Sequence, residues 1–223
     1  MSAIDVRRHP RARGLRLSVD PASGRVRLTL PPSASLKTAM AWAEGQAAWI
    51  AAQRDRLPAA RPFVPGAVVP LGDAMLTLAH DPRAPRTPGR NGDRLVCGGP
   101  IEGFPMRIAR WLRGEALRVL RLETAEFAHK AGVIVSEVAV GDPRGRWGSC
   151  SSRGAIRYSW RLMLAPAFVR RATVAHEVAH RVHMNHGPAF HALVAALLEE
   201  DPAPARAWLR AHGAALHWFG RSS

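Results

Sequence analysis

The chain has 223 residues, enough for one enzyme-sized domain or two smaller ones with a buried core. Hydrophobic residues make up 47% and charged residues 22% of the composition, which excludes a wholly disordered chain. No apolar run approaches the roughly 20 residues that a membrane-spanning helix needs, and the basic opening stretch lacks the apolar centre of a secretory signal. Two cysteines, Cys97 and Cys150, do not make a disulfide framework. We therefore expect a soluble, cytoplasmic protein that does not contact membranes.

The formal net charge of +15 comes from 32 lysines and arginines against 17 aspartates and glutamates. Such an excess is typical of proteins that neutralise phosphates. Only Lys37 and Lys130 are lysines, however, and the arginines extend from Arg7 to Arg221. A dedicated nucleic-acid binder usually gathers its cations into a patch with interleaved aromatic residues. The sequence therefore leaves nucleic acid open as a partner without favouring it.

The predicted elements of the first hundred residues are mostly strands. Residues 15–30 alternate apolar and polar positions around a run of turn-forming residues, which predicts a hairpin. Residues 36–56 carry apolar side chains at helical spacing and predict one amphipathic helix. Short apolar runs between 66 and 100 predict a second hairpin, and the polar, proline-rich segment 80–93 is expected to be a mobile loop without regular structure. We assign residues 1–100 to a strand-rich N-terminal region with one helix.

Helices dominate the second predicted region, residues 101–223. A helix is expected at about 103–131, a strand at 133–140, and two strands between 146 and 160. Pro166 then opens a long helix, since proline is tolerated in a first helical turn. A Gly-Pro pair interrupts the helical pattern before two final helices.

Five of the ten histidines lie between residues 176 and 191. Among them, His176-Glu177-Val178-Ala179-His180 has the HExxH pattern of zinc peptidases. Four positions advance a helix by little more than one turn, so His176 and His180 project from one face and can share a Zn²⁺ ion. Glu177, about 100° around the helix, can take a proton from a water on that ion without being a ligand. The pattern indicates hydrolysis by metal-activated water.

The third metal ligand requires the chain to bend. His183 lies on the same helical face, but on a straight helix it would be about 10.5 Å from His176 along the axis. His186 follows Asn185, a residue that can adopt the left-handed conformation that ends helices. We therefore choose His186 and expect His183 and His191 to support the ligands or face solvent. Three protein ligands leave a fourth position for water, which is the catalytic pattern of zinc.

Four short motifs follow one another in the second region. They are Arg146-Trp147-Gly148-Ser149-Cys150, Trp160-Arg161-Leu162, His176 to His180, and Asn185-His186-Gly187-Pro188-Ala189-Phe190. In this order they resemble the motifs of the YgjP-like metallopeptidases, a bacterial family related to the SprT-like zinc proteases, and the similarity extends over nearly the whole chain. The resemblance implies an α+β fold, in which a zincin-like catalytic domain packs its HExxH helix on a small antiparallel sheet. It also implies one zinc ion on His176, His180 and His186, with Glu177 as general base.

The strands between 146 and 160 are candidates for substrate contacts. A strand beside the active-site helix can pair its free edge with an extended peptide. Gly148 would allow close approach of the backbone, and Arg146, Tyr158 or Arg161 could stabilise an oxyanion. The alternative is that the tryptophans of this segment and their neighbours simply pack under the helix. We predict Arg146, Gly148, Ser149, Tyr158 and Arg161 as substrate-binding residues.

The predicted function is zinc-dependent hydrolysis of peptide bonds in a peptide or protein substrate. Three alternatives stay open. Metal-activated water could act on another electrophile, such as a nucleotide phosphate anhydride. The protein could be a nucleic-acid-associated protease of the SprT-like kind, with salt-dependent DNA binding. Finally, the zinc could be a structural clip in a binding module that has no hydrolytic activity.

Overall fold

The computed structural model describes residues 4–221. Within this range the fold is mixed α+β, with six α-helices and three small mixed sheets. Backbone contacts divide the chain into two units, Met1–Ala59 and Ala60–Ser223. The division lies before the boundary expected at residue 100, because strand residues such as Leu76 and Leu95 share one hydrophobic core with the C-terminal helices.

The N-terminal unit is a three-stranded sheet with two helices. Its elements are β1 (Asp5–Arg8), β2 (Arg16–Val19), β3 (Val26–Leu30), α1 (Leu36–Glu44) and α2 (Ala47–Asp55). The predicted hairpin is confirmed, since β2 pairs antiparallel with β3, while β1 pairs with β3 in parallel. The single predicted helix is wrong, because α1 ends at Gly45, and glycine is a poor helix former.

The C-terminal unit begins with a four-stranded sheet of order β4-β5-β7-β6. Its strands are β4 (Val68–Leu71), β5 (Ala74–His80), β6 (Gly89–Asn91) and β7 (Arg94–Cys97). The expectation that segment 80–93 has no regular structure is wrong, because β6 lies in it. Gly92 and Asp93 form the two-residue turn of a β6–β7 hairpin, and Gly92 supplies the positive φ, +60°, that such a tight turn requires.

A long helix, α3 (Phe104–Lys130), leads to the second sheet of this unit. That sheet contains β8 (Glu137–Gly141), β9 (Gly148–Cys150) and β10 (Ala155–Ser159), in the order β8-β10-β9. The predicted antiparallel sheet is therefore wrong in part: β9 is antiparallel to β10, but β8 is parallel to it. The strand whose side chains are most deeply buried, β10 with Ile156 and Tyr158, takes the centre and leaves β9 at an edge.

Three helices complete the C-terminal unit, namely α4 (Ala167–Ala179), α5 (Pro188–Leu198) and α6 (Ala203–Leu216). Each begins at or directly after a proline, as expected from the tolerance of the first helical turn for this residue. The central helix α4 packs against α3, α5, α6 and β9. Arg170 of α4 forms a bidentate ion pair with Glu123 of α3, and both side chains are about nine-tenths buried.

None of the helices between residues 4 and 221 has both the length and the apolar character needed to cross a membrane.

Candidate metal centre

The end of α4 brings the predicted metal ligands together. His176 lies in the last turn of α4, and His180 is the residue that caps it. The helix stops there because the chain turns: the N–H of Arg181 donates to the carbonyl of Val178, and that of His183 to Ala179. The chain then returns so that Nε2 of His186 lies 3.1 Å from Nε2 of His176. The bend that was inferred from spacing is therefore present.

The three imidazoles fit a divalent metal ion. One ring nitrogen from each of His176, His180 and His186 lies within 4.8 Å of the other two, and these three form a candidate metal-binding group within the described residues. Zn–N bonds of 2.0–2.1 Å in a tetrahedron separate neighbouring nitrogens by about 3.3–3.4 Å. The 3.1 Å between His176 and His186 is close to that value, so only a small movement of His180 would complete the set.

The histidines are also in the chemical form that binds metals. Burial, followed by the neighbouring His180 and His186, lowers the pKa of His176 to about 4. Burial likewise lowers the pKa of His180, although its hydrogen bond to the carbonyl of His183 opposes the shift. Both rings are therefore neutral at pH 7 and can offer a lone pair.

His183 supports the site through its main chain. Nδ1 of His180 lies 3.2 Å from the carbonyl oxygen of His183 and donates a hydrogen bond to it. The proton on Nδ1 leaves Nε2 of His180 free as the ligand atom. His191 is exposed, and its ring centroid lies 6.3 Å from that of His186, at the rim of the site. Neither His183 nor His191 belongs to the metal-binding group, in agreement with the sequence interpretation.

Phe190 is a site residue to which the sequence analysis gave no role. It is fully buried in α5, and its ring centroid lies 4.9, 4.7 and 4.6 Å from those of His176, His180 and His186 respectively. The phenyl ring thus packs against all three imidazoles and restricts their orientations. The available signal was its position four residues after His186, in the first turn of α5.

Glu177 lies beside the three histidines, and its side chain is buried. Burial raises the pKa of Glu177 to about 7, and the charge of Arg146 partly opposes this effect. The backbone of Gly148 in β9 packs directly on the carboxylate: a Cβ at this position would lie 2.5 Å from Cγ and 2.7 Å from Cδ of Glu177. Only glycine therefore fits here, and the reason is contact with Glu177, whereas the predicted approach of a substrate backbone stays a prediction.

A cleft of about 280 Å³ opens next to His176 and Glu177. Its apolar walls come from α4, α5 and α6 and from the indole of Trp147, and they include Ala172, Val194, Ala205 and Leu209. Arg146, Arg206 and His191 contribute polar groups. Gly213 of α6 and the ring of His217 pack against Trp147 and hold this wall in place. The contributions of α6 left no local signal in the sequence, because they depend on long-range packing.

Only some of the predicted substrate-binding residues line the cleft. Arg146 and Gly148 line the cleft, and Ser149 follows in the same strand but does not line it. Tyr158 is buried, and its hydroxyl lies 3.0 Å from that of Thr124. Burial also raises its pKa above the ordinary value. Tyr158 is therefore placed as a core residue.

Arg161 is likewise engaged within the core. Its guanidinium forms two hydrogen bonds with Asp142, at 2.6 and 3.0 Å. It also donates to the carbonyls of Leu216 and Phe219. These contacts occupy all of its guanidinium nitrogens. Arg161 therefore stabilises the C-terminal segment and is not directed at the cleft.

β9 is an edge strand of its sheet and contacts α4. The N–H of Ser159 donates to the carbonyl of Trp147, and that of Ser151 to the carbonyl of Ala155. In an antiparallel ladder such bonds alternate along the strand. The main-chain groups of Gly148 and Cys150 therefore point away from β10, towards the free edge of the sheet.

Comparison with known proteins agrees with this geometry. The sequence model of the YgjP-like metallopeptidase domain matches residues 13–212. Searches of curated proteins and of solved structures found no match. The matched region includes all four motifs and every residue of the candidate metal centre, which confirms the resemblance drawn from the motifs. The chain belongs to the YgjP-like metallopeptidase family.

Proposed function

We propose that this protein is a zinc-dependent peptidase in which His176, His180 and His186 hold the metal and Glu177 is the general base. The observation that carries the proposal is the convergence of three imidazoles beside a buried carboxylate at the end of an apolar cleft. Nitrogen ligands in this number favour zinc and leave one coordination position open. When bound, the ion supplies a Lewis acid that polarises a carbonyl and acidifies water.

The chain's own residues supply orientation and proton transfer. Glu177 accepts a proton from water and returns it to the leaving amine. Gly148 fixes the position of the carboxylate through direct backbone contact. Phe190 and the carbonyl of His183 keep the imidazoles oriented. Arg146, close enough to Glu177 to affect its pKa, places a positive charge where negative charge develops on a substrate.

An extended peptide is the substrate that this arrangement suits best. The free edge of β9 offers main-chain hydrogen bonds at Gly148 and Cys150, and such pairing has little side-chain selectivity. The adjoining cleft can take an apolar side chain of the substrate, because most of its wall is aliphatic or aromatic. We therefore expect a preference for an apolar residue next to the cleaved bond.

The first test separates metal binding from catalysis. We expect Glu177→Gln to keep one zinc per chain, measured by elemental analysis, and to lose cleavage of an unfolded protein such as casein by about 10²-fold or more. His186→Ala should lose most of the zinc, whereas His183→Ala, a matched histidine whose ring does not belong to the group, should retain it. Cleavage by the Glu177 variant at the parent rate, or full zinc on the His186 variant, would contradict the proposal.

Two other functions are tested by the same samples. Arg146 and Arg206 at the cleft would also suit an anionic substrate such as a nucleotide phosphate anhydride, so phosphate release from nucleoside triphosphates is measured beside proteolysis. A structural clip would appear as stability that is lost on chelation without hydrolysis of any substrate. Metal-dependent phosphate release without proteolysis, or no hydrolysis at all, would replace the peptidase assignment.

A further inference from the structure

The N-terminal unit has one apolar and one basic sheet face. Along β3, Val26, Leu28 and Leu30 are buried, and the last two form a small core with α1. The alternate residues Arg27 and Thr29 point to the opposite face, because successive side chains of a strand lie on opposite sides. That face and the loop after β1 line a concave groove of about 740 Å³. Its ionisable residues, here called the basic groove, are Arg7, His9, Arg11, Arg13, Arg16 and Arg27.

Strand register places like charges near one another in this groove. Arg7 of β1 and Arg16 of β2 are both in register with Thr29 of the central strand β3. Since neighbouring strands are about 4.8 Å apart, the two arginines start about 10 Å from each other on one face. Residues 4–30 contain seven arginines and only two aspartates. Arg27 pairs with Asp5 at 3.1 Å, and this is the one ion pair of the groove within the described residues.

The remaining arginines of the groove have exposed, uncompensated charges. Arg7, Arg11, Arg13 and Arg16 are all exposed, and none has an ion-pair partner among residues 4–221. The loop that carries Arg11 and Arg13 is held to the sheet, because the N–H of His9 donates to the carbonyl of Leu30. A groove with four such guanidinium groups repels itself electrostatically, and a bound polyanion would relieve that repulsion.

We propose that the basic groove binds the phosphate backbone of nucleic acid without sequence preference. Guanidinium groups bind phosphate oxygens in a bidentate manner, and the hydroxyls of Ser18 and Thr29 in the groove add neutral donors. The lining contains no Phe, Tyr or Trp on which bases could stack, so the contacts are to phosphates. This site lies in the N-terminal unit and does not depend on the proposed hydrolytic function.

Other polyanions suit the groove less well. A bilayer surface would require apolar side chains that insert beside the cations, and an acidic protein would require a buried apolar or aromatic centre to its interface. Leu15 is the one large apolar side chain of the groove, and it is half-buried in the small core of the unit. Contacts to the regularly spaced phosphates of a nucleic acid need neither feature, because phosphate neutralisation is independent of sequence and depends on charge.

The experiment is fluorescence anisotropy with a labelled 20-nucleotide oligothymidylate and the full chain. The four uncompensated arginines neutralising phosphates would give a slope of about −2.8 for log K against log salt, which corresponds to about 50-fold weaker binding at 200 mM than at 50 mM salt. Arg7→Glu combined with Arg16→Glu should weaken binding by about 10-fold or more and flatten the slope. Lys37→Glu combined with Arg56→Glu changes the net charge equally, but these exposed residues lie outside the groove, so this control should bind nearly as the parent does.

Several results would overturn the proposal. Equal losses in the two double variants would assign binding to the overall charge. Absence of oligonucleotide binding at 50 mM salt would show that the basic groove is not a nucleic-acid site. Tighter binding to polyglutamate or to phosphatidylglycerol vesicles than to the oligonucleotide would assign the groove to another class of partner. Thermal melting of both variants, expected to match the parent, shows that the unit is folded in each measurement.

Discussion

Replacement of Gly148 by alanine tests the contact between β9 and Glu177. The added methyl group would lie 2.5 Å from Cγ and 2.7 Å from Cδ of Glu177, whereas carbon atoms in favourable contact are about 3.5–4.0 Å apart. The carboxylate must therefore move by about 1 Å. A displacement of that size at a reacting group costs about 10²-fold in rate. We expect kcat/KM for casein cleavage to fall about 100-fold, with zinc content unchanged because the three histidines are not touched.

Gly145→Ala is the matched control for this experiment. Gly145 lies three residues earlier, and a Cβ there would meet nothing within 4 Å. The control should therefore keep the parent's activity, zinc content and melting temperature. If Gly148→Ala retained full activity, the carboxylate would not need the position that the β9 backbone gives it, and the assignment of Glu177 as the positioned base would be refuted. Loss of zinc from the variant would show instead that the damage reaches the ligands.

Three further changes probe the structure around the site. Phe190→Ala removes the ring that contacts the three imidazoles, so we expect a loss of about 3–5 kcal/mol in the free energy of unfolding and weaker zinc binding in a chelator competition; unchanged zinc affinity would contradict the orienting role. Glu123→Gln leaves buried Arg170 without its counter-ion and should cost about 3–5 kcal/mol in urea unfolding, whereas replacing both residues with leucine should cost less. Asp142→Asn should lower the free energy of unfolding by about 1–2 kcal/mol near neutral pH. The loss is modest because the Asp142 side chain is one-third exposed and solvent screens its ion pair. Burial alone would raise the pKa of Asp142, but its partner guanidinium holds the pKa below the ordinary value, so this stabilisation is present above about pH 3.9 and should vanish as pH falls through the folded-state pKa; a difference that persists at pH 2 would contradict it.

The candidate metal centre could be proposed from sequence because its residues are close together in the chain. His176, Glu177 and His180 are fixed relative to one another by the geometry of one helix. His186 could be chosen because Asn185 and the following Gly-Pro pair require the chain to leave that helix. Gly148 was predicted to admit a substrate backbone, and its packing on Glu177 could not be inferred locally. Each of the inferences about the metal centre depended only on residues that are near neighbours in the sequence.

The parts that could not be predicted depend on distant segments. Arg161 was a reasonable oxyanion candidate until packing brought Asp142 and the carbonyls of Leu216 and Phe219 around it. The order β8-β10-β9 is likewise set by burial of the central strand, and alternation within each strand does not reveal it. Gly92, at the turn of the β6–β7 hairpin, was a local signal, but the prolines of the preceding segment favoured a loop.

The position of the metal centre at the end of a helix has an energetic consequence. The three candidate ligands lie at or beyond the last turn of α4, where the aligned peptide dipoles give the helix a partial negative charge. A cation at this end is stabilised, typically by about 0.3–1 kcal/mol per charge at exposed sites and by more in buried ones. Had α4 continued through His183, the histidines would be spread along one side of the helix. The termination at His180 therefore brings His186 into the site and also provides a favourable field for the ion, so one local feature of the backbone serves both geometry and charge.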